Sequence, residues 1–130
     1  MDHIDAADLE SLPVLSHAVR VGDVIYCSGQ VPLGPDGSLV ESDMGAMTRQ
    51  VVANLEQVLA AADGTIADVV RTNVYLADMA DYAAMNPAYV DLFPDRPART
   101  CVQVAGLPLG ARVEIDCIAV RAAGSSTPAP

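Results

Sequence analysis

Residues 44–77, MGAMTRQVVANLEQVLAAADGTIADVVRTNVYLA, contain the pattern that decides the fold. In their first part, apolar residues recur every three or four positions, the spacing of a helix with one buried face. Asp43 is placed to cap this helix, and Asp63-Gly64 to end it. Residues 68–77 are rich in Val, Thr and Tyr, which favour strands. The stretch therefore predicts a helix over 44–62 followed by a strand. The residues expected to face the core are Met47, Val51, Leu55, Val58, Leu59 and Ala62.

A β-hairpin is predicted before this helix. Two β-rich runs, residues 16–21 and 24–31, flank Gly22-Asp23, and both residues of this pair tolerate the positive φ of a tight turn. Strict alternation along the first run places Leu15 and His17 on one face of its strand.

A second helix is predicted over residues 80–92. Its apolar positions recur at helical spacing, and Pro87 either kinks it or begins its main part. Residues 100–104 and 112–121 predict two final strands. The order β-β-α-β-α-β-β indicates an α+β fold, one sheet with two helices on one face. Association of subunits is the simplest way to bury the other face.

Composition excludes several chemistries. The 130 residues and 13.5 kDa fit one domain, expected over residues 13–121 between flexible termini at 1–12 and 122–130. The formal net charge is -10, and all 7 basic residues are arginine. Without lysine, a lysine Schiff base, a pyridoxal-phosphate lysine and a P-loop lysine are impossible. An acidic surface repels phosphates, so no nucleic-acid partner is expected.

Cysteine and histidine usage predicts neither a disulfide framework nor a metal site. The three cysteines, Cys27, Cys101 and Cys117, are widely spaced and are not paired as CxxC. His3 and His17 fit no metal-ligand pattern, although a mixed site assembled by folding stays open. The chain shows no signal peptide and no apolar run of ~20 residues, so we expect a cytoplasmic protein without membrane contact.

Two pairs of polar residues are candidates for chemistry. Arg99 and Cys101 share one face of a predicted strand, and Glu114 and Asp116 share one face of another. A guanidinium binds a carboxylate through two charge-assisted hydrogen bonds, and a carboxylate in a cleft can deprotonate water. A surface salt bridge for Arg99 and a solvated side chain for Glu114 are the alternative interpretations.

The sequence resembles the RidA/YjgF family of enamine and imine deaminases across nearly all of residues 13–121. The matching segments are SHAVRVGDVIYCSGQVP at 16–32, RPARTCVQVAGLP at 96–108, VEIDCIAV at 113–120 and the long run at 48–93. The combination of the SGQ-P run, the PARxC run and the VEI strand at these separations is specific.

The resemblance implies a chorismate-mutase-like trimer, with three sheets forming a central barrel and active-site clefts between subunits. It implies that Arg99 grips the carboxylate of a 2-imino or 2-enamino acid and that Glu114 activates the attacking water. Ammonia and a 2-keto acid are then the products, and no cofactor or metal is required.

The resemblance also implies four further substrate-binding positions. Cys101 lies in the cleft in an auxiliary role, and the backbone of Gly29, beside Ser28, lines the same pocket. Asn86 matches the family's asparagine ahead of the second helix.

One departure from the family pattern concerns residues 13–18, PVLSHA. Leu15 stands where the family has a cleft tyrosine, and His17 stands where it has a glutamine. His17 either takes over a polar role in the cleft, since its ordinary pKa suits acid–base work near neutrality, or packs and hydrogen-bonds a backbone group. Leu15 keeps two alternatives to the deaminase open: a non-catalytic small-acid-binding trimer, and a pathway enzyme acting on a more apolar enamine or imine.

Overall fold

The β-rich runs form a single six-stranded sheet in the computed structural model, which describes residues 1–122. The strand order across the sheet is β1-β2-β3-β6-β4-β5. Helices α1 (Met44–Ala61) and α2 (Tyr82–Leu92) both contribute to the core on one face of the sheet. The strands are β1 (Asp2–Ile4), β2 (Ala18–Val21), β3 (Val24–Gln30), β4 (Val69–Leu76), β5 (Ala98–Gln103) and β6 (Val113–Val120).

The predicted fold class is confirmed, with one strand added at its start. Strand β1 pairs antiparallel with β2, His3 opposite Val19. The prediction of a flexible segment over residues 1–12 is therefore wrong for 2–4. Three residues without amphipathic period give no strand signal, and β1 exists because the edge of β2 supplies its hydrogen-bond partners. The predicted flexible tail covers residues 122–130, and from residue 123 onward it lies outside the residues that the structure describes.

Helix α1 begins and ends close to the predicted residues. The Asp43 carboxylate accepts a hydrogen bond from the Ala46 N–H at 2.7 Å, which caps the first turn. Beyond its last turn, Asp63 adopts a φ of 64°, and the Gly64 N–H donates to the Leu59 carbonyl at 2.7 Å. All of the residues predicted to face the core are buried: Met47, Val51, Leu55, Val58, Leu59 and Ala62.

Helix α2 continues through Pro87, which lies inside it rather than at its start. The expectation that Asn86 lies ahead of this helix is therefore wrong, because the helix already begins at Tyr82. The helix carries the chain from β4 to β5, and these two strands pair in parallel. All other neighbouring strands are antiparallel. A parallel pair requires such a crossover, so α2 and the edge strand β5 are placed together by topology.

Alternation along β6 separates two faces of the sheet. Val113 and Ile115 are fully buried under the helices, whereas Glu114 and Asp116 point to the opposite side, which we call the open face. Tyr26, Val102 and Val120 also lie on the open face, at 49%, 40% and 41% exposure. Within residues 1–122, no helix is long and apolar enough to cross a membrane.

Candidate active site

Glu114 lies in the middle of the open face, opposite Tyr75 of β4. On its other side the register of β3 and β6 shifts between Cys27 and Gln30, a bulge that brings Gly29 against the carboxylate. A Cβ at Gly29 would lie 2.8 Å from Cδ of Glu114, closer than carbon atoms approach without bonding. Position 29 therefore has to be glycine for Glu114 to occupy this place.

Asp116 lies two residues further along the same face and is held by two donors. The Asn73 side-chain amide donates to one carboxylate oxygen at 2.8 Å, and the Tyr75 hydroxyl donates to the other at 2.9 Å. Together with Gly29 and Glu114, these three residues form what we call the carboxylate cluster.

The two carboxylates of this cluster have different surroundings. Burial raises the pKa of the Glu114 carboxyl above its ordinary value, and the negative charge of Asp116 raises it further. Burial also raises the pKa of the Tyr75 phenol, with a further contribution from its hydrogen bond to Asp116. A carboxyl group with raised proton affinity and no strong hydrogen-bond donor is suited to exchange a proton.

Arg99 is held by residues of α2. Its Nη2 donates to the Asn86 side-chain oxygen at 2.8 Å, and its guanidinium carbon lies 4.4 Å from the ring centre of Tyr89 and 5.3 Å from that of Tyr82. Cys101 follows on the same face of β5 and packs against the core. We call these five residues the arginine cluster.

The Tyr89 ring is itself fixed. Its hydroxyl shares a 2.6 Å hydrogen bond with the Thr72 hydroxyl, and its ring lies 4.7 Å from that of Phe93. Burial raises the pKa of the Tyr89 phenol, so it stays neutral beneath the guanidinium. A guanidinium stacked on a fixed ring keeps its direction, which is the property that a carboxylate-binding group needs.

The two clusters lie on opposite faces of the sheet. Arg99 pairs with Thr72 and Cys101 with Val74, and both of these β4 residues are buried under the helices. Glu114 lies on the open face on the other side of β4. The structure thus brings Gly29 to Glu114 and Asn86 to Arg99, but within one chain it does not bring Arg99 to Glu114.

Ser28 precedes Gly29 on β3 and is bonded to the loop that carries Leu15. The Ser28 hydroxyl donates to the Ser16 carbonyl at 2.7 Å, and its N–H donates to the His17 carbonyl at 2.9 Å. These bonds fasten the loop that carries Leu15 to the bulge at Gly29. Leu15 itself is 40% exposed, so the loop presents an apolar side chain to solvent.

The expectation that His17 shares a strand face with Leu15 is wrong, because β2 begins only at Ala18. His17 is 3% exposed, and both of its ring nitrogens bind backbone groups. Nδ1 accepts from the Ala6 N–H at 2.9 Å, so Nε2 carries the proton and donates to the Glu10 carbonyl at 2.8 Å. This geometry matches the alternative in which His17 hydrogen-bonds the backbone.

The sequence interpretation did not single out Asn73 and Tyr75 of β4. Nothing in the local pattern of β4 distinguishes Tyr75 from other strand tyrosines. The signal that could have found it is the register between β4 and β6, which places Tyr75 opposite Glu114.

Cys27 and Cys117 belong to the core. They are buried, unoxidised and directly opposite each other on β3 and β6. Their mutual hydrogen bond and burial raise the pKa of the Cys117 thiol, so it stays neutral. No group of three or more His, Cys, Asp and Glu side chains in residues 1–122 is arranged to hold a metal ion.

Two surface cavities are present near the helices. One of about 270 Å³ is bordered by Pro32, Met47 and Arg112, and one of about 320 Å³ by Phe93 and Asp95. The second lies beside the arginine cluster, because the Phe93 ring packs on that of Tyr89. Neither cavity is lined by Arg99 or Glu114.

The fold and the two clusters define a small α+β protein with a guanidinium on one face of its sheet and a carboxylate on the other. Residues 6–121 match the family described as Endoribonuclease L-PSP. The chain belongs to this family, which is the RidA/YjgF family that the sequence resembles.

Relatives and solved structures agree with this assignment. The chain is 41% identical over 121 residues to the mitochondrial protein mmf1 of Schizosaccharomyces pombe, covering 90% of this chain and 74% of that protein. It is 38% identical over 107 residues to the 2-iminobutanoate/2-iminopropanoate deaminase of Escherichia coli, covering 79% and 84%. It superposes on the crystal structure of RidA from an Antarctic Psychrobacter species with a TM-score of 0.86 at 36% identity, covering 92% and 99%.

Proposed function

We propose that this protein hydrolyses 2-imino acids, and the 2-enamino acids from which they form, to 2-keto acids and ammonia. In the imine form the reaction is R–C(=NH)–COO⁻ + H₂O → R–CO–COO⁻ + NH₃. The observation that carries the proposal is the pair of clusters: a preorganised guanidinium and a carboxylate of raised proton affinity. The deaminase name of the Escherichia coli relative agrees with it.

Arg99 is the proposed substrate anchor. Asn86 occupies one nitrogen of the guanidinium, and the Tyr89 ring covers one face, which leaves the remaining N–H groups for the substrate carboxylate. A planar fork of donors matches a carboxylate in geometry as well as charge. In a chain of net charge -10, Arg99 supplies the local attraction that a small anion needs.

Glu114 is the proposed base. Its carboxylate takes a proton from water as the oxygen attacks the imine carbon, and the C=N bond becomes a C–N single bond. The protonated carboxyl then returns that proton to the nitrogen, which gives a carbinolamine with one hydroxyl and one amino group. Glu114 next takes the hydroxyl proton and passes it to the amino nitrogen, so that the C=O bond forms as the C–N bond breaks and ammonia leaves. One group serves as base and then as acid, so the chemistry requires no metal or cofactor.

The complete site is proposed to form between subunits of a homotrimer. Arg99 and Glu114 lie on opposite faces with β4 between them, and a 2-imino acid is too small to span the sheet. Two chains placed side by side can present both groups to one substrate. The exposed apolar residues of the open face support association, because the trimer would bury them in its central barrel.

RNA cleavage, which the family description names, is not proposed for this chain. The chain has no lysine, and the ring nitrogens of His17 are both bound to backbone. A surface of net charge -10 also repels a polyanion. A cytoplasmic location stays a prediction, since the name of the related mmf1 describes it as mitochondrial.

Leu15 favours a second candidate, a trimer that binds small acids without converting them. The exposed leucine removes the phenol that the family places in the cleft, so substrate or water loses a hydrogen-bond partner. Leu15 also fits the other alternative, a pathway enzyme that acts on a more apolar enamine or imine. Binding of a 2-keto acid without turnover would identify the binding protein.

The test measures 2-keto acid release while a dehydratase generates 2-aminoacrylate or 2-aminocrotonate in the same solution. We expect the wild type to accelerate release and Arg99→Ala to lose most of the acceleration. Arg49→Ala, which removes an exposed arginine from α1, is the matched control and should behave as wild type. Absence of acceleration by the wild type, or equal acceleration by Arg99→Ala, would refute the proposal.

A further inference from the structure

Asp116 takes no step in the proposed deamination, although both of its carboxylate oxygens accept hydrogen bonds. The donors are the amide of Asn73 and the hydroxyl of Tyr75, both from β4. A surface carboxylate that only interacts with solvent does not need two fixed donors. The arrangement holds one negative charge at a defined place, two residues from Glu114 on the same face.

We propose that Asp116 is a positioning residue for Glu114: its fixed negative charge strengthens the hold of Glu114 on the proton that it takes from water. The inference rests on the proposed function, because it assigns Glu114 the role of base. It adds a second carboxylate to the site, with a role that depends on staying charged.

The environments of the two carboxylates decide which of them exchanges protons. Hydrogen bonds from Asn73 and Tyr75 occupy both carboxylate oxygens of Asp116. Within residues 1–122 no hydrogen bond or ion pair to the Glu114 carboxylate is formed, and its half-buried position favours the neutral form. Two carboxyl groups whose surroundings separate their proton affinities take different roles, one as the proton carrier and one as the fixed charge.

Other groups near Glu114 do not oppose this effect. From β3 the neighbour is Gly29, and from β4 it is Tyr75, which lies directly opposite Glu114. Tyr26 and Arg71 are opposite Ile118, further along β6. The Arg71 guanidinium donates to the Thr100 hydroxyl on β5 at 2.6 Å, on the side of β4 away from β6.

The consequence for the proposed reaction is a more basic carboxylate. Water is a weak acid, so a carboxylate of higher proton affinity removes its proton more effectively. The same neighbour sets the pH at which Glu114 becomes active, because the base works only when it has lost its own proton. Removing the charge of Asp116 lowers the pKa of Glu114 and moves this threshold to lower pH.

The first test uses the wild-type protein and does not depend on catalysis. The side-chain carboxyl carbons of ¹³C-labelled protein are followed by NMR as pH is changed. We expect Glu114 to titrate above the ordinary range of a glutamate. A Glu114 that titrates at or below that range would overturn the proposal, whether or not the protein is a deaminase.

The second test compares Asp116→Asn with the wild type. Asparagine keeps the shape and the acceptor for Tyr75 but removes the charge. We expect the Glu114 titration, and the acidic limb of the pH–rate profile, to move to lower pH. Plateau kcat should fall several-fold with KM little changed.

Two further variants separate the charge from structure. Tyr75→Phe removes one donor but leaves Asp116 charged, so its titration should shift less than that of Asp116→Asn. Glu56→Gln removes an exposed charge from α1 and should not shift it. An unmoved Glu114 titration in Asp116→Asn, or an equal shift in Tyr75→Phe, would overturn the proposal. If these NMR shifts appear but the wild type does not deaminate, the proposed function is refuted. The electrostatic effect of Asp116 on Glu114 is then still supported.

Discussion

The arginine cluster and the carboxylate cluster lie on the two faces of one sheet, and the surroundings of Arg99 and Glu114 differ. Arg99 is stabilised by an oxygen acceptor and by two aromatic rings, so its charge is matched. Glu114 is backed by the backbone of Gly29 and faces the negative charge of Asp116, so its charge is opposed. The arginine cluster surrounds its guanidinium with favourable partners, whereas the surroundings of Glu114 raise the pKa of its carboxyl.

This contrast agrees with the proposed division between substrate binding by Arg99 and proton transfer by Glu114. A group that anchors substrate benefits from being fixed and permanently charged, whereas a group that moves protons benefits from a proton affinity close to the working pH. Placing the two on opposite faces lets one chain support both requirements without neutralising either. An Arg99–Glu114 ion pair would lower the proton affinity of the base and occupy the anchor.

The largest effect on activity is expected when the carboxylate cluster loses its proposed base, Glu114. Glu114→Gln keeps the size of the side chain but removes its ability to accept a proton. We expect kcat to fall by about 1,000-fold and KM to change little, measured in the coupled 2-keto acid assay. Glu56→Gln on the exposed side of α1 should retain full activity. A kcat within tenfold of wild type would exclude Glu114 as the base.

The second prediction tests whether the Arg99 and the Glu114 of one site come from different chains. Glu114→Gln and Arg99→Ala subunits, each nearly inactive, are unfolded together and refolded as a mixture. A site between subunits should regain about a quarter of wild-type activity, because random assembly of a cyclic trimer joins the two intact halves at that frequency. Each variant refolded alone is the control. No recovery in mixed trimers would place both groups of one site in the same chain.

A smaller effect on activity is expected at Gly29, which lies against the Glu114 carboxylate. In Gly29→Ala the added methyl group overlaps the Glu114 carboxylate, so the side chain has to turn away from its place. We expect kcat to fall about 10- to 100-fold, since a displacement of this size misaligns the base. Gly106→Ala meets no atom within 4 Å and serves as the control. Equal activity of the two variants would show that Glu114 does not act from this position.

The smallest effect on activity is expected at His17. His17→Ala leaves the Ala6 N–H and the Glu10 carbonyl without their partner, which should lower the free energy of unfolding by about 1–3 kcal/mol. Denaturant unfolding measures this loss, and the kcat of the folded variant should match the wild type. His3→Ala removes only an exposed contact with Ser16 and is the matched control. A large loss of kcat at full folding would assign His17 to the site.

Much of the fold follows from local patterns. The helix over 44–62, the hairpin around Gly22-Asp23 and the strand at 113–120 were predictable because apolar periodicity and turn residues act over short distances. Strand β1 was not predictable in this way. Its three residues are held by pairing with β2, and pairing between distant segments leaves no mark on a short polar stretch.

The sequence by itself determined the residue types of the site and their local neighbours: Arg99 with Cys101 on one strand face, and Glu114 with Asp116 on another. Only the tertiary structure decided that these faces are opposite sides of one sheet. A period of two tells which residues share a face, but the side that faces the helices depends on register with β4, set by contacts far apart in the chain. The donors that fix Asp116 and the backbone groups that bind His17 were decided in the same way, because each comes from a segment that only folding brings near.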